Sequence, residues 1–533
     1  MNIWLTCAAG FALATTAVAQ QSGYAISGVV VNAVTGAPLD RAEVTLSTTG
    51  AGSSNLEQTA TAEDGEFSFN GLPAGKYGVQ ASRRGYLTAD YEEHEGYFTA
   101  IVTGPHLASE GLRFALMPYA TIGGTVSDDN GDPVSDAQVK LFRQDDDDGE
   151  TKVESADSTI TDDAGSFEFS RLHPGTYYLD VSATPWYAVH PDPRSDLSGN
   201  GGADEQPASQ LDVAYPLTFY PNAPDSGSAS PITVAAGDRA QANFSLHAVP
   251  AIHIQVYGAL GPSGHGVPSP MLSQQEFGDE QSVERPVPRI SGKDNLLTFD
   301  FGGLAPGNYT LQQVGRGSAS EDLAGDGILH VPPVPSTVDV RGRFAMASGA
   351  PLPERAVAAL RPVDGHPTYL NTPLGRDGSF DFANVPPGTY EVHLSGTFVV
   401  VGMAASGGEV HGSDITVGGD PVLLAATLAS GSTTLNGYAV RDNKGLGGAL
   451  VLLVPSDPNA NNELIRRDQS DSDGSFTLYN VVPGTYILMA IEDGWTLAWK
   501  HRDAIAAYLK HGVTVQVPEN QRTLNLASRV TVQ

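Results

Sequence analysis

The stretch Arg376-Asp377-Gly378-Ser379-Phe380-Asp381-Phe382-Ala383-Asn384-Val385-Pro386-Pro387-Gly388-Thr389-Tyr390 constrains this chain more than any other, because it recurs. Asp377-Gly378 is a turn dipeptide in which glycine supplies positive φ without a Cβ clash. Phe380 and Phe382 are two apart, so in a strand they leave the same face. Pro387-Gly388 presets a second tight turn, and Tyr390, Val392 and Leu394 then alternate inward along a new strand. The stretch therefore predicts two strands joined as a hairpin. Further copies are Asp64-Gly65-Glu66-Phe67-Ser68-Phe69 with Tyr77, Ala164-Gly165-Ser166-Phe167-Glu168-Phe169 with Tyr177, a worn Thr298-Phe299-Asp300-Phe301 with Tyr309, and Asp473-Gly474-Ser475-Phe476-Thr477-Leu478 with Tyr486. The second core residue precedes the tyrosine by eight positions every time (69→77, 169→177, 301→309, 382→390, 478→486). Such a fixed register marks a tandem repeat.

Upstream of each copy lies a pair of strands, also expected as a hairpin. Ile26-Ser27-Gly28-Val29-Val30-Val31 leads to Ala42-Glu43-Val44-Thr45-Leu46, and Ile122-Gly123-Gly124-Thr125-Val126 leads to Ala137-Gln138-Val139-Lys140-Leu141. The fourth and fifth units open at Val340 and Leu435. The third opens at Ile252 and lacks the glycine. Alternating strands such as Leu112 to Leu116, Ala242 to Leu246 and Leu524 to Leu526 close units. Short strands with turns every ten residues or so predict all-β, Greek-key β-sandwiches of about 80–130 residues each. Proline-bearing junctions at Met117-Pro118, Val249-Pro250 and Val331-Pro332-Pro333 divide them. The expected domains are 20–118, 119–249, 250–335, 336–430 and 431–533, with a Gly-, Ser- and Asp-rich loop from Ser195 to Glu205 in the second. Asp503 to Lys510 is the one helical candidate.

At 533 residues the chain is too long for one core. Its 29 basic and 61 acidic residues leave a formal charge of −32, which argues against nucleic acid or an anionic membrane surface as partner. Residues Ile3 to Ala19 carry no charge and end in Ala17-Val18-Ala19, a small-x-small cleavage pattern. Residues 1–19 are thus expected to be a secretory signal peptide. A membrane anchor or a lipid-modified Cys7 fits less well, because the run is short for a span and Trp4-Leu5-Thr6 is no lipid box. Cys7 is the only cysteine, so the secreted or periplasmic chain has neither disulfide nor thiolate chemistry. No later segment reads as a membrane span.

The opening Ser-Gly-x-Val strand, the Gly-x-Pro-Leu/Val turn, Asp-Gly-x-Phe-x-Phe and Pro-Gly-x-Tyr together resemble the carboxypeptidase regulatory-like domain. That family is a transthyretin-like sandwich grouped with carbohydrate-binding-like folds. The resemblance spans nearly the whole secreted chain, weakly in the third unit. It implies an accessory module that elsewhere accompanies zinc carboxypeptidases, outer-membrane receptors and bacterial surface proteins, with no catalytic residues to transfer. Neither a peptidase nor a receptor barrel accompanies the modules here.

The residues themselves carry no recognisable enzyme motif. No His-Glu-x-x-His helix, no Gly-x-Ser-x-Gly elbow and no phosphate-binding glycine loop is present. His247 and His253 are expected to be solvated or hydrogen-bonded. Calcium would need clustered carboxylates, and Asp145-Asp146-Asp147-Asp148-Gly149 and Asp128-Asp129-Asn130-Gly131-Asp132 are the densest clusters. Neither has EF-hand spacing, and acidic turn tips that keep strand edges soluble account for both, so no cofactor is expected. Sugar recognition would need exposed rings. The candidates are Trp186, Tyr187, Tyr215 and Tyr220 in the second unit and Trp495 and Trp499 in the fifth. Tyr86, Trp186 and Trp495 each follow the repeated tyrosine by nine positions, which favours packing for those three. The leading expectation is a non-catalytic, secreted or cell-surface protein that binds polysaccharide. The alternative is a structural or adhesive stalk with a protein partner.

Overall fold

Phe380 and Phe382 do leave one face of the strand Ser379–Val385, and Tyr390 lies in Gly388–Leu394, but these two strands belong to opposite sheets. The computed structural model describes residues 23–50, 54–147, 150–190, 210–259, 269–277, 280–282, 287–291, 296–312, 318–330, 337–363, 370–458, 460–519 and 521–533. The expected leader 1–19, the loop from Ser195 to Glu205, Val331-Pro332-Pro333 and Asp148-Gly149 lie outside the described residues. The repeated stretch is an arch across a sandwich, not the hairpin that its turns suggest. The upstream pair is an arch as well, since Tyr24–Asn32 and Glu43–Thr48 also sit in different sheets.

A bulge in the Phe-x-Phe strand explains the difference. Two residues after the second core position the backbone turns to positive φ in all five copies: Gly71 (75°), Arg171 (61°), Gly303 (72°), Asn384 (59°) and Asn480 (55°). The pairing register slips there, and the next buried side chain (Leu72, Leu172, Leu304, Val385 or Val481) caps the core before the chain crosses. On the far side the tyrosine hydroxyl donates back four residues to a carbonyl. The five bonds are Tyr77 to Pro73 (2.9 Å), Tyr177 to His173 (2.8 Å), Tyr309 to Ala305 (2.6 Å), Tyr390 to Pro386 (2.9 Å) and Tyr486 to Val482 (2.8 Å). Ring and hydroxyl together staple the arch to the core, the same device as a tyrosine corner.

The chain is thus an all-β tandem array of sandwiches, built on one plan. Each opening strand pairs antiparallel with its Phe-x-Phe strand and parallel with a closing strand, as Tyr24–Asn32 does with Glu66–Leu72 and Leu112–Leu116. In the second sheet the strand after the opening one pairs with the tyrosine strand, as Glu43–Thr48 does with Gly75–Ser82. The third unit, weakest in sequence, keeps this plan: Ile252–Ala259 pairs with Leu296–Leu304 and with Gly327–His330. Each opening-strand glycine faces the first phenylalanine (Gly28 with Phe67, Gly124 with Phe167, Gly342 with Phe380, Gly437 with Phe476), and Val256 takes that place opposite Phe299. A Cβ on Gly124 would stand 1.8 Å from the Ala242 carbonyl oxygen, so the closing strand can approach only where the side chain is missing.

Inside, the Phe67–Phe69, Phe167–Phe169 and Phe380–Phe382 pairs pack at centroid separations of 6.2, 6.0 and 5.6 Å. Each buried ring contributes about 1.5–3 kcal/mol. Of the helical candidate, only Ala506–Leu509 is α-helical. The array also folds back on itself, because the first unit rests against the fifth. Short proline linkers alone would have allowed an extended string.

Candidate functional site

The four candidate rings of the second unit begin with Trp186, just beyond the tyrosine strand Gly175–Ser182. Its side chain is 86% exposed and stands edge-on to Tyr187, with centroids 5.6 Å apart and planes at 87°. Tyr187 is half-buried and shares a hydroxyl hydrogen bond with Tyr215. Tyr215 is buried in the core of the unit. Burial pushes its hydroxyl up to about 12, and Tyr187, Asp128 and Asp129 act in the same direction. Tyr220 is half-buried against that core, edge-on to Phe244 at 6.0 Å. In this unit the rings are placed opposite to what their spacing predicts. Trp186, expected to pack, is exposed, whereas Tyr215 and Tyr220, expected to be free, are packed. Thr218–Phe219 returns to pair with the tyrosine strand, and the Tyr220 amide continues that pairing to the Leu179 carbonyl, which draws the flanking Tyr215 and Tyr220 inward.

In the fifth unit the rings are spent on an internal contact. Trp495 sits in the short 3-10 turn Gly494–Thr496, is buried, and donates from Nε1 to the Gly448 carbonyl at 3.2 Å. His94 of the first unit lies flat on it and Tyr97 leans against it. Trp499 is half-buried. The Arg467 guanidinium lies 4.7 Å from its ring centre and 5.1 Å from that of Tyr97, and it pairs with Glu95. Tyr86, at the same repeat position as Trp495, accepts a hydrogen bond from Asn32 at 3.1 Å and packs on its own core.

Around these rings the turn of the fifth unit seals an edge strand of the first. Asp471 Oδ1 accepts from the Ala100 amide at 3.2 Å, Ser472 Oγ accepts from the Val102 amide at 2.8 Å, and the Ser472 amide donates to the Ala100 carbonyl at 2.9 Å. Gln469 donates to Thr99 Oγ1 at 2.8 Å and shares a 3.1 Å hydrogen bond with His94. Lys76 pairs with Asp471. Burial and ion pairing compete in that pair. Burial pushes Asp471 up despite Lys76, while for Lys76 burial is opposed by the combined attraction of Asp471, Asp473 and Asp468, which leaves it raised. Burial also pushes neighbouring Asp468 up to about 6. None of these contacts follows the repeat register, so sequence reasoning missed them.

A second seam joins units two and three. Phe277 lies within 5.5 Å, centroid to centroid, of Phe142, Tyr178 and Phe219, and the fully buried Glu276 carboxylate pairs with Lys140 at 2.8 Å. Asp212 bridges His190 Nδ1 and His253 Nε2, each at 2.8 Å. Burial works against the Asp212 carboxylate, but hydrogen bonds and charge from both histidines leave it below the ordinary aspartate range. His247 pairs with Asp129 at 2.7 Å, and Asp128 Oδ1 accepts from the amides of Asn130 and Asp132, so this acidic cluster serves its own turn. Among the described residues no three His, Cys, Asp or Glu side chains group as metal ligands would, and no helix is long and apolar enough to cross a membrane.

No curated protein sequence matches this chain. Among solved structures it is similar to the Bacillus anthracis TIE protein (10% identity, 72% of this chain and 68% of that one, TM-score 0.16). It is also similar to GBS52, the minor pilin of Streptococcus agalactiae (14%, 43% and 97%, TM-score 0.22), and to BcpA, the major pilin subunit of Bacillus cereus (11%, 58% and 99%, TM-score 0.14). At those TM-scores the likenesses carry no argument about function. The carboxypeptidase regulatory-like domain model matches residues 25–97 and 121–192, which cover the opening, Phe-x-Phe and tyrosine strands of the first two sandwiches. The chain therefore carries carboxypeptidase regulatory-like domains in tandem, over residues 25–97 and 121–192.

Proposed function

We propose that this chain is a non-catalytic scaffold of the cell exterior, an array of sandwiches that presents its surfaces to a protein partner. The observation that carries this reading is the use made of its candidate ligand rings. Tyr215 and Tyr220 belong to one core, and Trp495 and Trp499 to the joint between the first and fifth units. Side chains committed to packing are not available to stack on a sugar. The leader-like residues 1–19 support a secreted or periplasmic location, which suits a formal charge of −32. The test is retention of the purified chain on soluble and insoluble polysaccharides, with calcium and with chelator. The scaffold reading expects no retention in either condition.

Polysaccharide binding is the second reading, and Trp186 favours it. An indole 86% exposed, braced edge-on by Tyr187, is a surface that a pyranose face fits. Retention that disappears in Trp186→Ala would establish that reading in place of the scaffold.

A further inference from the structure

The contact between the first and fifth units joins two unlike surfaces at opposite ends of one chain. One half is the edge of the first sandwich: Lys76, His94, Glu95 and the backbone from Thr99 to Val102. The other is the turn and rings of the fifth: Arg467, Gln469, Asp471, Ser472 and Trp495. Every copy of the chain carries both halves, and three sandwiches separate them. A heterologous contact of this kind can be made within one chain or between two, and exchange of identical elements is a low-cost route to dimers.

We propose that this face is an exchangeable interface whose second partner is the matching end unit of another copy, so that two chains form a closed, swapped dimer. The complementarity is specific enough to survive transfer. Backbone groups of an edge strand meet a turn that supplies both a carboxylate and a hydroxyl, and two oppositely signed pairs, Lys76–Asp471 and Arg467–Glu95, fix the register. It is also polar enough to release. Ion pairs and hydrogen bonds to edge-strand amides surround the His94 and Tyr97 rings on Trp495, a more polar mix than a domain core and the kind of contact that opens and recloses between domains.

The test is a charge exchange in the full chain with two variants, Lys76→Asp and Asp471→Lys. Alone, each variant sets like charges against one another inside its own chain. Mixed, the new carboxylate at 76 faces the new ammonium at 471, while native Lys76 of one chain faces native Asp471 of the other. Light scattering after gel filtration should find each variant monomeric near 55.7 kDa and larger in radius than the native chain. The equimolar mixture should contain at least about tenfold more dimer than either alone. A mixture that stays monomeric while both variants keep native circular dichroism and melting overturns the proposal. If either variant does not fold, Glu95→Arg with Arg467→Glu poses the same question at the other pair, and failure of that mixture to dimerise is equally decisive.

Discussion

The imidazole of His94 lies flat on the indole of Trp495, with ring centroids 5.2 Å apart and planes 7° from parallel. The two residues belong to the first and the fifth sandwich, and they divide the labour of the joint. Trp495 is a core residue of its own unit, whereas the His94 ring meets the indole and Gln469 across the contact while its backbone pairs with Tyr97 in the first unit. His94→Ala should therefore weaken docking by about 1 kcal/mol and leave the fifth core intact. Exchange of the Val102 and Ser472 amides should quicken by roughly fivefold, because about 1 kcal/mol is that factor in an opening equilibrium. Trp495→Ala should instead cost about 3–5 kcal/mol in urea unfolding. Unchanged amide exchange in His94→Ala would mean that the stacking does not hold the units.

Asp468 makes stability depend on pH. Burial pushes its carboxyl up to about 6, and the nearby Asp471 charge adds to this, against the hydrogen bonds that it accepts from the Thr477 and Gln469 amides. The folded state then binds this proton more tightly than the unfolded chain does. Its contribution is most favourable below about 4 and is lost as pH rises from about 4 to about 6. A shift of that size corresponds to an order of 2–3 kcal/mol at neutral pH. Asp468→Asn keeps an acceptor for Thr477 and removes the charge. Its urea midpoint should exceed that of the native chain at pH 8, with the gain shrinking towards pH 5. A gain independent of pH would show that the buried charge is not its source.

The close approach at Gly124 separates packing from backbone freedom. Gly124→Ala would set its Cβ 1.8 Å from the Ala242 carbonyl oxygen and 3.0 Å from the Phe167 ring. The closing strand must move, at a cost of about 3 kcal/mol. Gly131→Ala meets no atom within 4 Å and suffers only from its φ of +82°, a penalty of about 1 kcal/mol. Equal losses for the two in urea melts would contradict the packing explanation.

Phe380, Phe382 and Tyr390 were legible as core because a period of two and a fixed register leave little else for them to do. Which sheet each strand joins was not legible. A Pro-Gly turn serves a hairpin and an arch alike, and the bulge that decides between them is filled by Gly71, Arg171, Gly303, Asn384 or Asn480, with no common side chain to read. The candidate rings illustrate a second limit. Trp186 and Trp495 occupy one repeat position, yet one is exposed and the other buried. The difference lies in the Gly448 carbonyl and in His94, partners remote in sequence that no local pattern announces.

Phe277 tests whether the second and third sandwiches are one body. Its ring stands 4.7 Å from Tyr178, 5.0 Å from Phe142 and 5.5 Å from Phe219, all on the second unit, and the adjoining Glu276 carboxylate is buried against Lys140. Phe277→Ala removes the ring from this aromatic seat, and a loss of about 3 kcal/mol is expected. Lys140→Met takes one charge partner from the buried Glu276 carboxylate and should cost more than loss of a surface pair, about 3 kcal/mol. Combining Lys140→Met with Glu276→Leu removes both charges and should recover much of that loss. Calorimetry distinguishes the outcomes. In the native chain the second and third units should melt together, and in Phe277→Ala the third should melt first and separately. If the two already melt apart in the native chain, or if the double variant is no better than Lys140→Met, then the seam is not what couples them.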